Sequence, residues 1–381
     1  MDIVTHALLG VTLSEATLRR RIGKSANWLA AAAAVLPDID TWNFSSDPWI
    51  TLEYHRGATH SLFIAPLLAV AVAGIFWLFR RRQFGAMYLL ALLAVVSHPL
   101  LDLATSYGTQ LFWPISHARF QFDILPIVDV IFTPILALTI FACWRARRKA
   151  AQSSEGSWHP EVGGATRHWP PQKVARLGLA LALVYVGVGI WADVRSHQIA
   201  VATAPREQGN ILAVRAGPLI GTTFGRRLVV KTTDGFYVAR LNLLLTDGEP
   251  HWQWAPNDRD SSFVKRAESL DRIKLFRWFA DDMVRSEVEI TNTEPWLARV
   301  VFYDMRYGYP ADSGRSIFVA YVIFNAVTGQ VLAGPTTPNW SGHDGSPDGG
   351  AAFSQPVVSP AMRGENPWDR IRLLWQEAWR P

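Results

Sequence analysis

One cysteine, Cys143, occurs in 381 residues. That scarcity excludes a disulfide framework within the chain and any zinc cluster built on thiolates. Charge is sparse too: Asp, Glu, Lys and Arg make up 18%, where about a quarter is usual. With 49% hydrophobic residues, the composition excludes intrinsic disorder, which needs low hydrophobicity and high net charge. No basic segment precedes the first apolar stretch, and His6 interrupts it, so no secretory signal peptide is expected. Tryptophan is abundant, with 17 residues, and it favours membrane–water boundaries. The length predicts two structural units.

The two halves differ. Residues 1–199 carry 17 Lys/Arg against 12 Asp/Glu, and residues 200–381 carry 20 of each, so the net +5 belongs to the first half. That half also holds every long apolar run: Ser61–Phe79, Phe84–Leu101, Ile124–Trp144 (interrupted by Asp129) and Leu177–Ala192. About 20 residues of helix cross the hydrocarbon core, so these four runs predict transmembrane helices. The shorter stretches Ile3–Leu18 and Asn27–Pro37 predict short spans or helices entering one leaflet. The expected fold is a membrane α-helical bundle of about four to six helices followed by a soluble α+β domain. Its parts are a membrane-embedded domain over 1–150, a cytoplasmic loop over 151–173, a transmembrane helix over 174–195 and an extracytoplasmic domain over 200–381.

Orientation follows from basic clusters, which mark cytoplasmic loops. Arg19-Arg20-Arg21 with Lys24, Arg80-Arg81-Arg82 and Arg145 with Arg147-Arg148-Lys149 all fall inside when the helices alternate. The inner side then holds 14 basic and three acidic residues, and the outer side three basic and nine acidic. In the second half, β-rich runs predict strands at Asn210–Val214, Arg227–Lys231, Phe236–Leu244, Val300–Tyr307 and Ile317–Phe324. Helical spacing marks Phe263–Val284, a long loop is expected at Gly334–Pro360, and a closing helix at Pro367–Trp379. Arg272, Lys274 and Arg277 alternate with Asp271, Asp281 and Asp282, which reads as a solvated face, so no nucleic-acid partner is expected. His251-Trp252-Gln253-Trp254 fits a glycan or lipid surface, or more plainly one edge of an aromatic core.

The expected outer helix ends gather ionisable side chains: His6, Asp38, Asp40, His55, Arg56, His60, His98, Asp102, Asp123 and Asp129. His98 and Asp102, four apart, share one helix face. The histidines played no part in setting the orientation, yet four of them fall on the acidic side. Ionisable residues at membrane depth are costly and mark function or pairing. Histidine and carboxylate together suit zinc, manganese or iron. Each residue has a plainer alternative. His6 can be a boundary residue, Asp38 a helix stop, Asp40, Thr59 and Ser61 caps. His98–Asp102 can be an interhelical hydrogen bond, Asp129 a packing residue, and His117 a solvated loop residue.

Four motifs occur in order: Thr5-His6-Ala7-x-x-Gly10, Leu36-Pro37-Asp38-Ile39-Asp40, His55-Arg56-Gly57-x-Thr59-His60-Ser61 and Ser97-His98-Pro99-x-x-Asp102. Together they resemble the membrane-bound, metal-dependent hydrolases of the YdjM type, bacterial inner-membrane proteins of which some are LexA-regulated. The resemblance covers roughly residues 1–145. A weaker analogy runs to zinc-dependent phospholipase C and P1 nuclease, through the His98-x-x-x-Asp102 pair. That group is soluble and has an N-terminal Trp ligand, where this chain begins Met1-Asp2-Ile3.

The expected metal ligands are His6, Asp38, His60, His98 and Asp102, holding one or two ions, zinc before manganese or iron. Asp40 is expected to bridge a second ion or act as base, His55 to ligate or shuttle protons, and Arg56 to face anionic charge on the substrate. The predicted activity is metal-assisted hydrolysis of a lipid or lipid-linked phosphoester or ester at the outer leaflet. The outer domain would meet an extracytoplasmic protein or glycan. Two non-enzymatic alternatives stand beside this: a membrane scaffold with a structural metal clip, and an ion transporter using Asp129, His98 and Asp102. The near-absence of polar residues towards the inner ends of the long helices disfavours the transporter.

Overall fold

The computed structural model describes residues 1–41, 47–81, 83–155, 169–245, 250–291, 294–307 and 317–336. The chain forms two compact units. One holds most of the helical part up to Trp191 with the short Gly221–Thr223 segment, and the other the Pro48–Glu53 stretch with the strand-rich remainder from Ala192.

In the helical unit, α1 (Ile3–Ala16) leads through α2 (Arg19–Ile22) to α3 (Ala26–Val35), whose end tightens into a 3-10 turn at Leu36–Thr41. A short α4 (Pro48–Tyr54), grouped up to Glu53 with the other unit, and a 3-10 turn at Ala58–His60 precede α5 (Ala65–Phe79), α6 (Phe84–Asp102), α7 (Phe132–Glu155) and α8 (Pro171–Thr203), whose end from Ala192 also belongs to the other unit. Alanine, the best helix former, fills α3 and lets it pack closely. Ala30, Ala33 and Ala34 of α3 meet Ala69 and Ala73 of α5 and Ala91 and Ala94 of α6 in one core. Gly10 of α1 lies so near α3 that a Cβ there would fall 2.5 Å from the Ala30 carbonyl oxygen and 2.7 Å from Ala34 Cβ. Small residues that admit backbones this close are the usual means of packing helices in lipid.

Buried polar bonds fix α1 at both ends. At its far end Glu15, buried, accepts from Asn27 Nδ2 at 2.7 Å and pairs with Arg19 and with Arg147 of α7. At the other end, Thr5 bonds Thr133 of α7.

By length and composition α6 and α8 can each cross a membrane. The segment Pro48–His60 with α5, bent by 72°, makes a third candidate if taken as one broken span. Exposed Leu181, Leu183, Val184 and Trp191 give α8 an apolar outer face. The expected helix at Ile124–Trp144 differs: helix begins only at Phe132. Asp129 explains this, because its Oδ1 accepts from the backbone N–H of Ile131 and Phe132, both at 2.8 Å, and so starts α7 there. Tyr185 of α8 and Thr223 also donate to Asp129. The residue is a structural hub, in keeping with its packing alternative.

The second unit holds β1 (Ile211–Leu219), β2 (Thr222–Thr232), β3 (Gly235–Asn242) and β4 (Gln253–Pro256) in one sheet. After α9 (Ser262–Glu268) and α10 (Asp271–Phe279), β5 (Val284–Ile290), β6 (Leu297–Asp304), β7 (Val319–Asn325) and β8 (Val331–Thr336) form the other. Both run in sequence order with antiparallel neighbours. Phe236 and Val238, two apart on β3, face Val301 and Tyr303 of β6 in a common core. The five predicted strands are present, and β4, β5 and β8 are additional. Phe263–Val284 is two helices with an extended Leu270 between them. Trp252 and Trp254 pack with Tyr237, Ala204 and Val230, the aromatic-core alternative. Gly334–Thr336, expected as loop, completes β8; the rest of that loop and the predicted helix at Pro367–Trp379 lie outside the described residues.

Candidate metal centre

Five segments bring the motif residues to one end of the helical unit. α1 contributes His6, the 3-10 turn after α3 gives Asp38 and Asp40, and the chain after α4 gives His55 and Arg56. The second 3-10 turn gives His60, and the last turn of α6 gives His98 and Asp102. His60, His98 and Asp102 are fully buried, and Asp38 is the more open member at 15% exposure.

The four meet closely. His60 Nε2 and His98 Nε2 are 3.1 Å apart. Asp38 Oδ1 lies 3.5 Å from the first and 3.3 Å from the second, and Asp102 Oδ2 lies 3.4 Å from both. A tetrahedral ion with ligand bonds of about 2.0–2.1 Å separates its ligand atoms by about 3.3–3.4 Å. The spacing therefore matches such a shell.

The ring orientations carry the argument further. His98 Nδ1 is 2.6 Å from the Ala34 carbonyl, which only accepts, so that nitrogen bears the hydrogen. Thr59 spends its hydroxyl hydrogen on Asp40 Oδ2 at 2.7 Å, leaving its oxygen to accept from His60 Nδ1 at 3.1 Å. Both neutral rings thus turn bare Nε2 lone pairs towards each other and towards two carboxylates. Such a centre needs a cation between the rings, a proton or a metal ion. Histidine ligands are oriented in the same way elsewhere, with the second nitrogen bound by carbonyl or carboxylate. Asp102 Oδ2 and both His6 nitrogens are buried with no hydrogen-bond partner, which also fits an ion.

His6 stands against this set. Its ring stacks on His98 with centroids 3.6 Å apart, and its Nε2 is 3.3 Å from Asp102 Oδ1. Asp38, Asp40 and His55 form a second group whose donor atoms lie within ion-binding distance of one another. Asp40 is already engaged there: Oδ1 with His55 Nδ1 at 2.9 Å, and Oδ2 with Thr59 and with the Arg56 N–H at 3.1 Å. Burial works to raise the Asp40 carboxyl, but the Nδ1 sides of His55 and His60 outweigh it and hold Asp40 below the usual carboxylate range.

Arg56 is buried, with its guanidinium on Asp102 Oδ1 at 3.1 Å and on Thr105 at 3.0 Å. Its guanidinium and that of Arg119 each lie over the Tyr107 ring, at 4.8 and 5.1 Å from the centroid. Thr105, Tyr107 and Gln110, from the segment after α6, escaped the sequence reading because no motif contains them. Thr59, read there as a cap, binds Asp40 and His60. His117 lies 3.3 Å from Gln110 Oε1.

The sequence pattern of the YdjM inner membrane protein family matches residues 1–196, which include every residue of this centre. The chain belongs to that family. Two curated relatives each match part of the chain. YfhP of Bacillus subtilis, an uncharacterized protein, is 32% identical over 154 residues, 38% of this chain and 47% of its own length. The inner membrane protein YbcI of Escherichia coli is 30% identical over 128 residues, 31% of this chain and 70% of its own length. The match thus spans about half of YfhP, and all the strands lie beyond the family match. No solved structure matches.

Proposed function

We propose that this member of the YdjM family is a metal-dependent hydrolase of the bacterial inner membrane, acting on a lipid or lipid-linked phosphoester or ester at the outer leaflet. On this reading Asp38, His60, His98 and Asp102 hold one divalent ion, zinc by the match of spacing and donor type, with His6 packed against them. The ion would supply Lewis acidity towards a phosphoryl or carbonyl oxygen and ease deprotonation of water.

The observation that carries catalysis is the Asp40–His55 pair beside the ion-binding set. Asp40 fixes the Nδ1 side of the ring and leaves His55 Nε2 for proton transfer. His55 keeps 15% exposure, whereas His60 and His98 are fully buried. A structural clip has no use for such a pair. The basic clusters support a multi-pass arrangement with the site and the strand-rich domain outside. That domain would meet an extracytoplasmic protein or glycan.

One observation favours a second reading. Four protein donors at tetrahedral spacing resemble closed structural zinc sites more than three-donor catalytic ones. The test is metal content and hydrolysis of phosphoester and ester probes by full-length protein purified in detergent. The expected result is one ion in wild type and in His55→Ala, none in His98→Ala or Asp38→Ala, and hydrolysis by wild type alone. Metal with no hydrolysis in any probe would move the site to a structural clip. Metal-free wild type would end both readings.

A further inference from the structure

We propose that Arg56 is a positioning residue for Asp102: it occupies Oδ1 so that Asp102 turns a single oxygen, Oδ2, to the ion. The inference rests on the metal reading above and concerns how one ligand is presented.

The two oxygens of Asp102 have different surroundings. Oδ1 receives Arg56 Nη2 at 3.1 Å and the Met1 amino group, with His6 Nε2 at 3.3 Å. Oδ2 has no hydrogen-bond partner and lies 3.4 Å from the Nε2 atoms of His60 and His98. One face of the carboxylate is thus bound by cationic groups, and the other is directed into the shell. A carboxylate free at both oxygens can ligate through either or both.

The guanidinium is itself held. Nη1 donates to Thr105 Oγ1, whose hydroxyl donates to the Asp102 carbonyl at 2.8 Å. The plane lies over Tyr107. The Arg56 backbone has φ of +61°, a left-handed conformation uncommon outside glycine. It is fixed by Asp40 Oδ2 on its N–H at 3.1 Å and by Gln110 N–H on its carbonyl at 2.9 Å. With 5% exposure, Arg56 is directed at a ligand and away from the surface.

The sign of one measurement separates positioning from mere charge. A cation beside a metal site repels the metal, so deleting charge alone would tighten binding. Losing the orientation of a ligand loosens it. Zinc affinity is measured by chelator competition on the full chain in detergent, together with the visible absorption of the cobalt-substituted protein. Arg56→Gln is expected to bind zinc about 10–100-fold more weakly and to alter the cobalt spectrum, and Arg56→Lys to recover part of both. Thr105→Val keeps every charge and should loosen zinc in the same direction by a smaller factor. Equal or tighter zinc in Arg56→Gln with an unchanged cobalt spectrum overturns positioning while leaving the metal site standing. Should Arg56→Gln fail to elute as folded protein, Thr105→Val decides: unchanged affinity and spectrum overturn the proposal. Wild type that takes up no zinc removes the metal reading and this one together.

Discussion

At the scale of the residue, Asp40 shows how one carboxylate can order the side chains around a cluster of candidate ligands. It fixes the His55 ring, the Thr59 hydroxyl and the Arg56 backbone, and its Oδ2 lies 3.3 Å from His60 Nδ1. Thr59 completes the arrangement, since only after donating to Asp40 does its oxygen accept from His60. Replacing Asp40 by Asn removes one acceptor and half of that support. Asp40→Asn is expected to keep one bound ion per chain while weakening zinc by about 10–100-fold. Equilibrium dialysis with metal analysis checks both. A fall from two ions to one would instead make Asp40 a ligand of a second ion. The motifs made Asp40 visible in the sequence. The choice between bridging a second ion and acting as base was not visible, because it depends on where His55, Thr59 and the Arg56 amide end up.

At the scale of the element, the centre depends on how closely α1 approaches α3. Gly10 permits that approach, and one turn further along α3 the Ala34 carbonyl holds His98 Nδ1. A methyl group at position 10 would meet backbone that cannot rotate away, so α3 must shift and carry Ala34 and Asp38 with it. Overpacking of this kind costs about 1–3 kcal/mol. Gly10→Ala is therefore expected to lower the melting temperature of the detergent-solubilised protein and to weaken zinc. Gly74 of α5 has open space around its added Cβ, so Gly74→Ala should be neutral or stabilising by up to about 1 kcal/mol. Thermal unfolding with and without zinc compares the two, and equal effects would refute the packing argument. Element boundaries were less legible than element identity. Apolar runs located α5, α6 and α8, but hydropathy alone cannot see that Asp129 caps the chain and delays α7. Nor does helical spacing across Phe263–Val284 reveal that Leu270 is extended.

At the scale of the whole molecule, the proposed orientation rests on where charge falls along the chain. On a path of alternating helices, Arg19-Arg20-Arg21, Arg80-Arg81-Arg82 and the Arg145–Lys149 group would fall on one side, and the acidic residues of the centre on the other. A reporter fused after residue 150 is expected to read cytoplasmic, and one after residue 381 extracytoplasmic. The reverse pattern would put the centre at the inner leaflet and change the class of substrate that can reach it. The strand-rich unit was recognisable as α+β from its alternating runs. β5 escaped because Arg285, Glu287 and Glu289 alternate with small or apolar residues and form ion pairs within the sheet. Arg285 and Glu287 pair with each other on β5, and Glu289 pairs with Arg299 of β6, whereas a charged segment reads from sequence as solvated.

Several properties were determined by sequence alone. Long uncharged runs require a membrane-type helical part, since nothing else satisfies so much apolar surface. The absence of paired cysteines leaves only histidine and carboxylate for a transition metal. The four motifs carry the family and the candidate ligands of the centre. The tertiary structure decided how those residues divide their work. It turned the two Nε2 atoms face to face, gave Asp102 one bound and one open oxygen, and withdrew Asp129 to cap a helix. Those outcomes depend on hydrogen-bond partners brought from distant segments, Ala34, Thr59, Thr105 and Tyr185 among them. A linear pattern records which donors and acceptors exist, and only the folded chain determines which of them meet.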